Sequence, residues 1–138
     1  MAAPRLVDDT GFLLSRASAV AVRTTNTVLE PFGLRVRQYS LLLAVGENGG
    51  LSQRELAELL YLDPSQIVAL LDELEVKGLV NRHPDPRDRR TRLIAATAEG
   101  VRVAVEAEVA VREAREQYLG KLDDDDRATL AALLGQIG

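Results

Sequence analysis

Two helix-start signatures stand close together in the middle of the chain, and together they leave little freedom for what it can fold into. Ser52-Gln53-Arg54-Glu55 is a capping box: the Ser oxygen accepts from the amide three residues on, and the Glu reaches back. Asp63-Pro64-Ser65-Gln66 is a second start, with Asp63 as N-cap and Pro64 at the first helical position, where its missing N–H costs nothing. The spacing leaves room for a short helix to about Leu60 and a tight turn around Tyr61-Leu62-Asp63. The next helix runs to Lys77, and Gly78 relieves its end. Its Ile67, Leu70, Leu71 and Leu74 share one buried face. Two helices joined this tightly read as a helix-turn-helix.

The segment after it reads as a wing. Residues 79–82 form a strand, residues 84–90 a turn too polar for a core, and residues 91–96 the returning strand. The remaining chain is helical. A first helix covers about residues 9–29 and ends at Pro31-Phe32-Gly33. Its Phe12, Leu13, Arg16, Ala19, Val20, Arg23, Thr27 and Val28 lie on related faces. A second helix covers about 36–45, with Leu41-Leu42-Leu43 too apolar for a surface, and residues 46–50 form a loop. Thr97 caps a long helix over about 98–119, and Asp123 caps a last one to about 137. The expected architecture is mainly α (α+β), with six helices and a two-stranded wing. Residues 1–138 make one domain: a winged helix-turn-helix over about 34–97, and dimerisation helices over about 8–32 and 98–138.

Composition excludes several functions. The 138 residues include no cysteine, so disulfides and thiol chemistry are ruled out. The single histidine, His83, leaves no companions for a metal site or a Ser-His-Asp triad. No nucleophile–base pair is visible, so no enzyme, metal or cofactor is expected. Asp123 to Asp126 lack the spacing and glycine of a calcium loop and suit a helix start. The longest uncharged run, residues 128–138, is far short of the roughly 20 apolar residues of a membrane span. No secretory signal is visible at the start, and the expected compartment is the cytoplasm.

Two places point to double-stranded DNA. On the fourth helix Ser65, Gln66, Val68, Ala69, Asp72 and Glu73 face out. Ser65 and Gln66 can hydrogen-bond base edges, and Val68 and Ala69 can meet a thymine methyl. Asp72 and Glu73 repel phosphate, so only the first two turns should enter a groove. A plain amphipathic helix explains the same pattern. The wing is the stronger signal. From Arg82 to Arg92 five Arg stand against two Asp, a local charge of +3. Arg87, Arg89, Arg90 and Arg92 crowd the exposed turn, where they suit a minor groove. Asp88 can steady the Arg90 guanidinium, and Arg54 on the third helix joins the DNA-facing set. A solvated charged turn is the bland alternative.

Taken over the whole chain, the net charge of −4 argues against a nucleic-acid partner. Divided along the chain, residues 1–50 carry +1, residues 51–98 carry −1 and residues 99–138 carry −4. The deficit therefore sits on the last two helices. The first, fifth and sixth helices present more apolar surface than a winged core can cover, which suits a symmetric homodimer. Arg16 and Tyr39 can reach the junction between the two regions, where Arg16 can pair an acidic ligand; alternatively Arg16 is a surface or inter-subunit residue and Tyr39 is core. A winged-helix module that binds protein instead of DNA is the competing reading, favoured by the acidic total and by the absence of a reading-helix Arg.

These residues resemble the MarR family of bacterial transcription regulators over about residues 11–137. Asp85-Pro86-Arg87-Asp88-Arg89-Arg90, then Ile94 and Thr97-Ala98-Glu99-Gly100, is similar to the family's D-P-x-D-x-R wing followed by L-T-x-x-G. Leu56-Ala57 through Asp63, and Leu71-Asp72-Glu73-Leu74-Glu75-Val76-Lys77-Gly78-Leu79-Val80, match its reading-helix region. Leu34 with Gln38-Tyr39 resembles its L-T-x-x-Q-[YW] start to the second helix, with Arg35 in place of Thr. The resemblance implies a homodimeric, ligand-responsive repressor on a palindromic operator. It implies Arg90 in the minor groove and a small aromatic or anionic effector between the two regions. Val68-Ala69 stands where the family often has Thr-Arg, which implies a different operator, and Ala96 stands where it has Leu. The missing cysteine excludes the family's thiol-based sensors, and a single His leaves its zinc sensors without ligands.

Overall fold

The computed structural model describes residues 2–48 and 50–138. The helices are α1 (Thr10–Leu29), α2 (Val36–Asn48), α3 (Gln53–Leu60), α4 (Pro64–Val76), α5 (Ala98–Leu119) and α6 (Asp124–Gly135). The strands are β1 (Leu51–Ser52), β2 (Val80–Asp85) and β3 (Asp88–Ala96). Mostly helical structure with a small antiparallel sheet is what the sequence leads one to expect.

Local hydrogen bonds place the helix starts. Asp9 accepts from the Phe12 amide at 2.8 Å, Thr97 from Gly100 at 3.0 Å and Asp123 from Asp126 at 2.8 Å. The Ser52 box closes in both directions, at 3.1 and 3.2 Å. At α4 the Gln66 side-chain carbonyl reaches back to the Asp63 amide at 3.0 Å. Gly33 and Gly78 take left-handed backbone at φ 68° and 72°, which ends the helical segments before them. Tyr61, in the turn between α3 and α4, is left-handed at φ 55° although it is not glycine, and its ring is almost fully exposed. That conformation costs an L residue about 1–2 kcal/mol.

The structure departs from expectation in several places. The span 46–50 is not all loop, because α2 continues through Gly46 to Asn48. Leu41 and Leu42 are fully buried, but Leu43 faces outward. The stripe read on α1 is mostly exposed, and its buried residues are Thr25 and Leu29. The wing strands are longer than expected, so only Pro86 and Arg87 lie between them. Asp85, read as part of a polar turn, is buried.

The sheet also has a third strand, in the order β1-β3-β2. Leu51 pairs with Ile94 and Ser52 with Leu93. A two-residue strand has no periodicity, so nothing local announces it. β2 is an edge strand and tolerates Pro84, which cannot donate to the ladder.

Leu29, Leu41, Leu42, Leu56, Ile67, Leu71, Leu74 and Ile94 are fully buried and bind the helix-turn-helix to the sheet. Burying side chains of this size contributes roughly 1.5–3 kcal/mol each. α1 packs along α5, whose Ala104, Ala107, Val111 and Ala114 are buried. Small side chains allow that close approach. α6 buries none of its residues and is tied back by Arg127, which pairs with Glu116 on α5 at 2.6 and 2.9 Å. The Glu116 carboxyl is held below its usual range by that guanidinium.

Candidate nucleic-acid interface and ligand cleft

The wing tip is built around two aspartates, and each accepts from backbone. Asp85 Oδ1 accepts from the Arg87 amide at 2.9 Å, closing the turn. Asp88 Oδ1 accepts from the Arg90 amide at 3.0 Å, and its other oxygen accepts from the Thr91 hydroxyl at 3.2 Å. The ladder explains why these bonds are needed. Pro84 pairs with Arg92 and Asp85 with Asp88, so the register jumps and Arg89, Arg90 and Thr91 bulge from β3 without cross-strand partners. Bulges re-aim side chains and leave backbone amides unpaired. Asp88 takes up one of them. Its expected hold on the Arg90 guanidinium is therefore replaced by one on the Arg90 backbone: it shapes the bulge that projects the side chain.

The four tip arginines, Arg87, Arg89, Arg90 and Arg92, are all exposed. Arg87 stays near Asp85 at 3.4 Å; Arg89, Arg90 and Arg92 have no ion-pair partner among the described residues. Arg82 does not belong with them. It is partly buried and pairs with Glu75 at 2.9 Å and Asp72 at 3.2 Å, clamping β2 to α4. The exposed tip arginines remain available to a partner, whereas Arg82 is held within the fold. The Arg87 amide holds the Asp85 carboxyl below the usual aspartate range of about 3.9. Ionised Asp85 therefore stabilises the turn fully above the unfolded-state value, and that support fades as pH falls through the lowered one. A side-chain NMR titration should place its midpoint below ~3.9; a midpoint at or above that value would remove this role.

On α4, Ser65, Val68 and Ala69 are exposed as expected, and Gln66 is half-buried. With its carbonyl engaged by the Asp63 amide, Gln66 presents its NH₂ as the free group. Arg54 is exposed but pairs with Glu58 at 3.3 Å. The two acids expected to repel phosphate are both tied down. Asp72 is held by Arg82, and Glu73 accepts from Gln38 Nε2 on α2 at 2.6 Å. His83 is half-buried on β2, opposite Leu93. No group of three or more His, Cys, Asp or Glu suited to a metal occurs among the described residues.

A cleft of about 860 Å³ opens between α1, the turn after it and the start of α2. Arg23, Arg35 and Lys77 line it with Asn26, Gln38 and Glu30, so cations outnumber anions there. Neither Arg16 nor Tyr39 belongs to this lining. Arg16 is exposed on α1. Tyr39 is buried in the core, and burial, with Glu108 nearby, pushes its phenol up. Sequence reading missed Arg23, Arg35 and Lys77 as a group, because they converge from α1, the α1–α2 turn and the end of α4.

Known proteins are similar to this chain in sequence and fold. The sequence model of the MarR family matches residues 32–91. The crystal structure of CouR from Rhodococcus jostii RHA1 bound to p-coumaroyl-CoA is 45% identical, with a TM-score of 0.90, covering 98% of this chain and 95% of that one. The HTH-type transcriptional repressor Rv2887 of Mycobacterium tuberculosis is 30% identical over 96% of this chain and 97% of its own. A mutant MarR from E. coli, complexed with operator DNA, is 26% identical with a TM-score of 0.85, covering 95% and 94%. With its helix-turn-helix, its arginine-tipped wing and these likenesses over nearly its whole length, the chain belongs to the MarR family of DNA-binding transcriptional regulators.

Proposed function

We propose that the protein is a homodimeric repressor of a palindromic operator. The first turns of α4 enter the major groove through Ser65, Gln66, Val68 and Ala69. Arg90 enters the minor groove, with Arg54, Arg87, Arg89 and Arg92 on or near phosphate. The observation that carries this reading is the bulged wing, which projects unpaired arginines beside an uncharged reading-helix face. A wing that bound only protein would have no use for that cluster. The exposed apolar residues of the outer helices support a dimer: Leu13 and Leu14 on α1, Val105 and Val109 on α5, and Leu133 and Leu134 on α6. Two-fold pairing would set the reading helices roughly 34–36 Å apart, one turn of DNA. Action on DNA in the cytoplasm goes with that reading. No helix among the described residues is long and apolar enough to cross a membrane.

A salt series with the DNA flanking its own gene tests the reading. Affinity should fall steeply as salt rises, and a flat profile would sink it. Two substitutions separate positioning from reading. Arg90→Ala should weaken binding by about 10-fold or more on every sequence, whereas Gln66→Ala should change which bases are preferred. Equal losses across a panel of operator variants for both would contradict the assignment.

The α1–α2 cleft is the proposed effector site, with Arg23, Arg35 and Lys77 in place of Arg16 and Tyr39. Its cationic lining suits an anion, and the likeness to CouR, whose structure holds p-coumaroyl-CoA, supports a phosphate-bearing acyl thioester as the class. Adding p-coumaroyl-CoA to the protein–operator complex should release DNA. If it neither binds nor releases, that effector class is wrong.

A further inference from the structure

We propose that an anionic ligand in the α1–α2 cleft loosens the reading helix by competing for Gln38 and Lys77, the side chains that tie the cleft to α4. The inference rests on the cleft being the effector site and adds how occupancy would reach DNA.

α4 is braced on two flanks, and both braces act on its C-terminal half. On the wing side Arg82 holds Asp72 and Glu75. On the other side Gln38, itself buried, donates Nε2 to Glu73 at 2.6 Å. Its carbonyl is fixed at the same time, accepting from the Arg35 amide at 3.1 Å. Lys77, the C-cap of α4, donates to the Gly33 carbonyl in the turn after α1. Gln38 and Lys77 both line the cationic cleft. A second, smaller cleft shares Val22, Asn26, Arg35 and Gln38 with the first and adds Glu73. The cleft and the reading helix therefore have donors in common.

An empty cleft leaves these donors to protein acceptors, and α4 is held in place. A phosphate beside Arg35 is a stronger acceptor for the Lys77 ammonium than a neutral carbonyl is. Glu73 lines the adjoining second cleft, which shares Gln38 and Arg35 with the first, so a bound anion and the Glu73 carboxylate compete for Gln38 and repel. The bound state thus favours separation of Glu73 from Gln38 and of Lys77 from Gly33. A ligand shifts an equilibrium only by its differential affinity for the two states, and this competition supplies the difference. By reciprocity the braced state, which binds DNA, must bind ligand more weakly.

The test uses the full-length protein, its operator fragment, and p-coumaroyl-CoA with CoA as a second probe. In the wild type, saturating p-coumaroyl-CoA should lower operator affinity about 10-fold or more, within the usual range of coupling. Glu73→Ala should lower ligand-free operator affinity a few-fold, bind p-coumaroyl-CoA more tightly, and show a ligand effect of roughly threefold or less. Glu73→Gln keeps an acceptor for Gln38 and should recover part of the ligand-free operator affinity. Glu73 is exposed, so neither change threatens the core. If Glu73→Ala keeps the wild-type ligand effect, the competition is refuted and the effector reading stands. If Arg35→Gln leaves p-coumaroyl-CoA affinity unchanged, or if neither probe binds the wild type, the cleft reading itself fails and takes the competition with it.

Discussion

Gly100→Ala is expected to destabilise the protein by about 3 kcal/mol or more, lowering the melting temperature by roughly 10 °C or more. A Cβ at position 100 would stand 2.0 Å from the Leu79 carbonyl oxygen and 3.0 Å from its carbon. Backbone cannot rotate away as a side chain can. The first turn of α5 would have to lift from the start of β2, where several bonds converge. The Thr97 hydroxyl donates to the Gly78 carbonyl at 2.6 Å and accepts from the Gly100 amide at 3.0 Å, and the Thr97 amide donates to the Leu79 carbonyl at 3.0 Å. The same junction joins the wing to the long helix that packs on α1. Gly46→Ala is the control. It lies in α2 with open space around its Cβ position, so it should be neutral or stabilising by about 0.5–1 kcal/mol. Comparable melting temperatures for the two variants would show that the junction yields at little cost.

Replacing Arg87, Arg89, Arg90 and Arg92 together by Gln should cost operator affinity about 1,000-fold or more while leaving the melting temperature nearly unchanged. Each phosphate no longer neutralised should also reduce the slope of log affinity against log salt by about 0.9. Stability is spared because Arg89, Arg90 and Arg92 have no ion-pair partner among the described residues, and the pair Arg87 makes is exposed on the arginine side. Exposed pairs of this kind contribute little. The Asp85 and Asp88 bonds that shape the tip run mainly to backbone amides, so they survive the substitutions. A parallel loss of stability would mean that the arginines build the wing rather than use it. An unchanged salt slope would mean that they do not meet phosphate.

Both outcomes draw on features that differ in how visible they are in the sequence. The Ser52, Thr97 and Asp123 caps, the left-handed glycines and the buried face of α4 are legible because each is decided within a few helical turns. The arginine cluster is legible because its members are neighbours in sequence. The role of Asp88 is only half legible: its proximity to Arg90 is plain, but the register jump that leaves the Arg90 amide unpaired depends on how β2 meets β3. β1 is invisible, since two residues have no pattern and the strand exists only because Leu93 and Ile94 are there to pair with.

The acids of α4 show the same division. On a helical wheel Asp72 and Glu73 are outward charges that keep DNA away from the second half of the helix. In the folded chain they are tethers, one to Arg82 and one to Gln38, and Gln38 lies 35 positions away in sequence. The acidic total has a similar resolution. On α5 several negative charges are matched within the helix, Glu99 and Glu106 to Arg102 and Glu108 to Arg112, and so are not spent on the free arginines of the wing.

The sequence by itself determined where most helices start and stop, which residues form the core of the helix-turn-helix, and where positive charge concentrates. Those are consequences of hydrogen bonds and apolar contacts between residues a few positions apart. Only the tertiary structure decided which arginines are free, that the wing tip is bulged, and that a cationic cleft shares its donors with the reading helix. Those depend on which side chains meet across elements, and packing selects such partners among many that local pattern leaves equivalent.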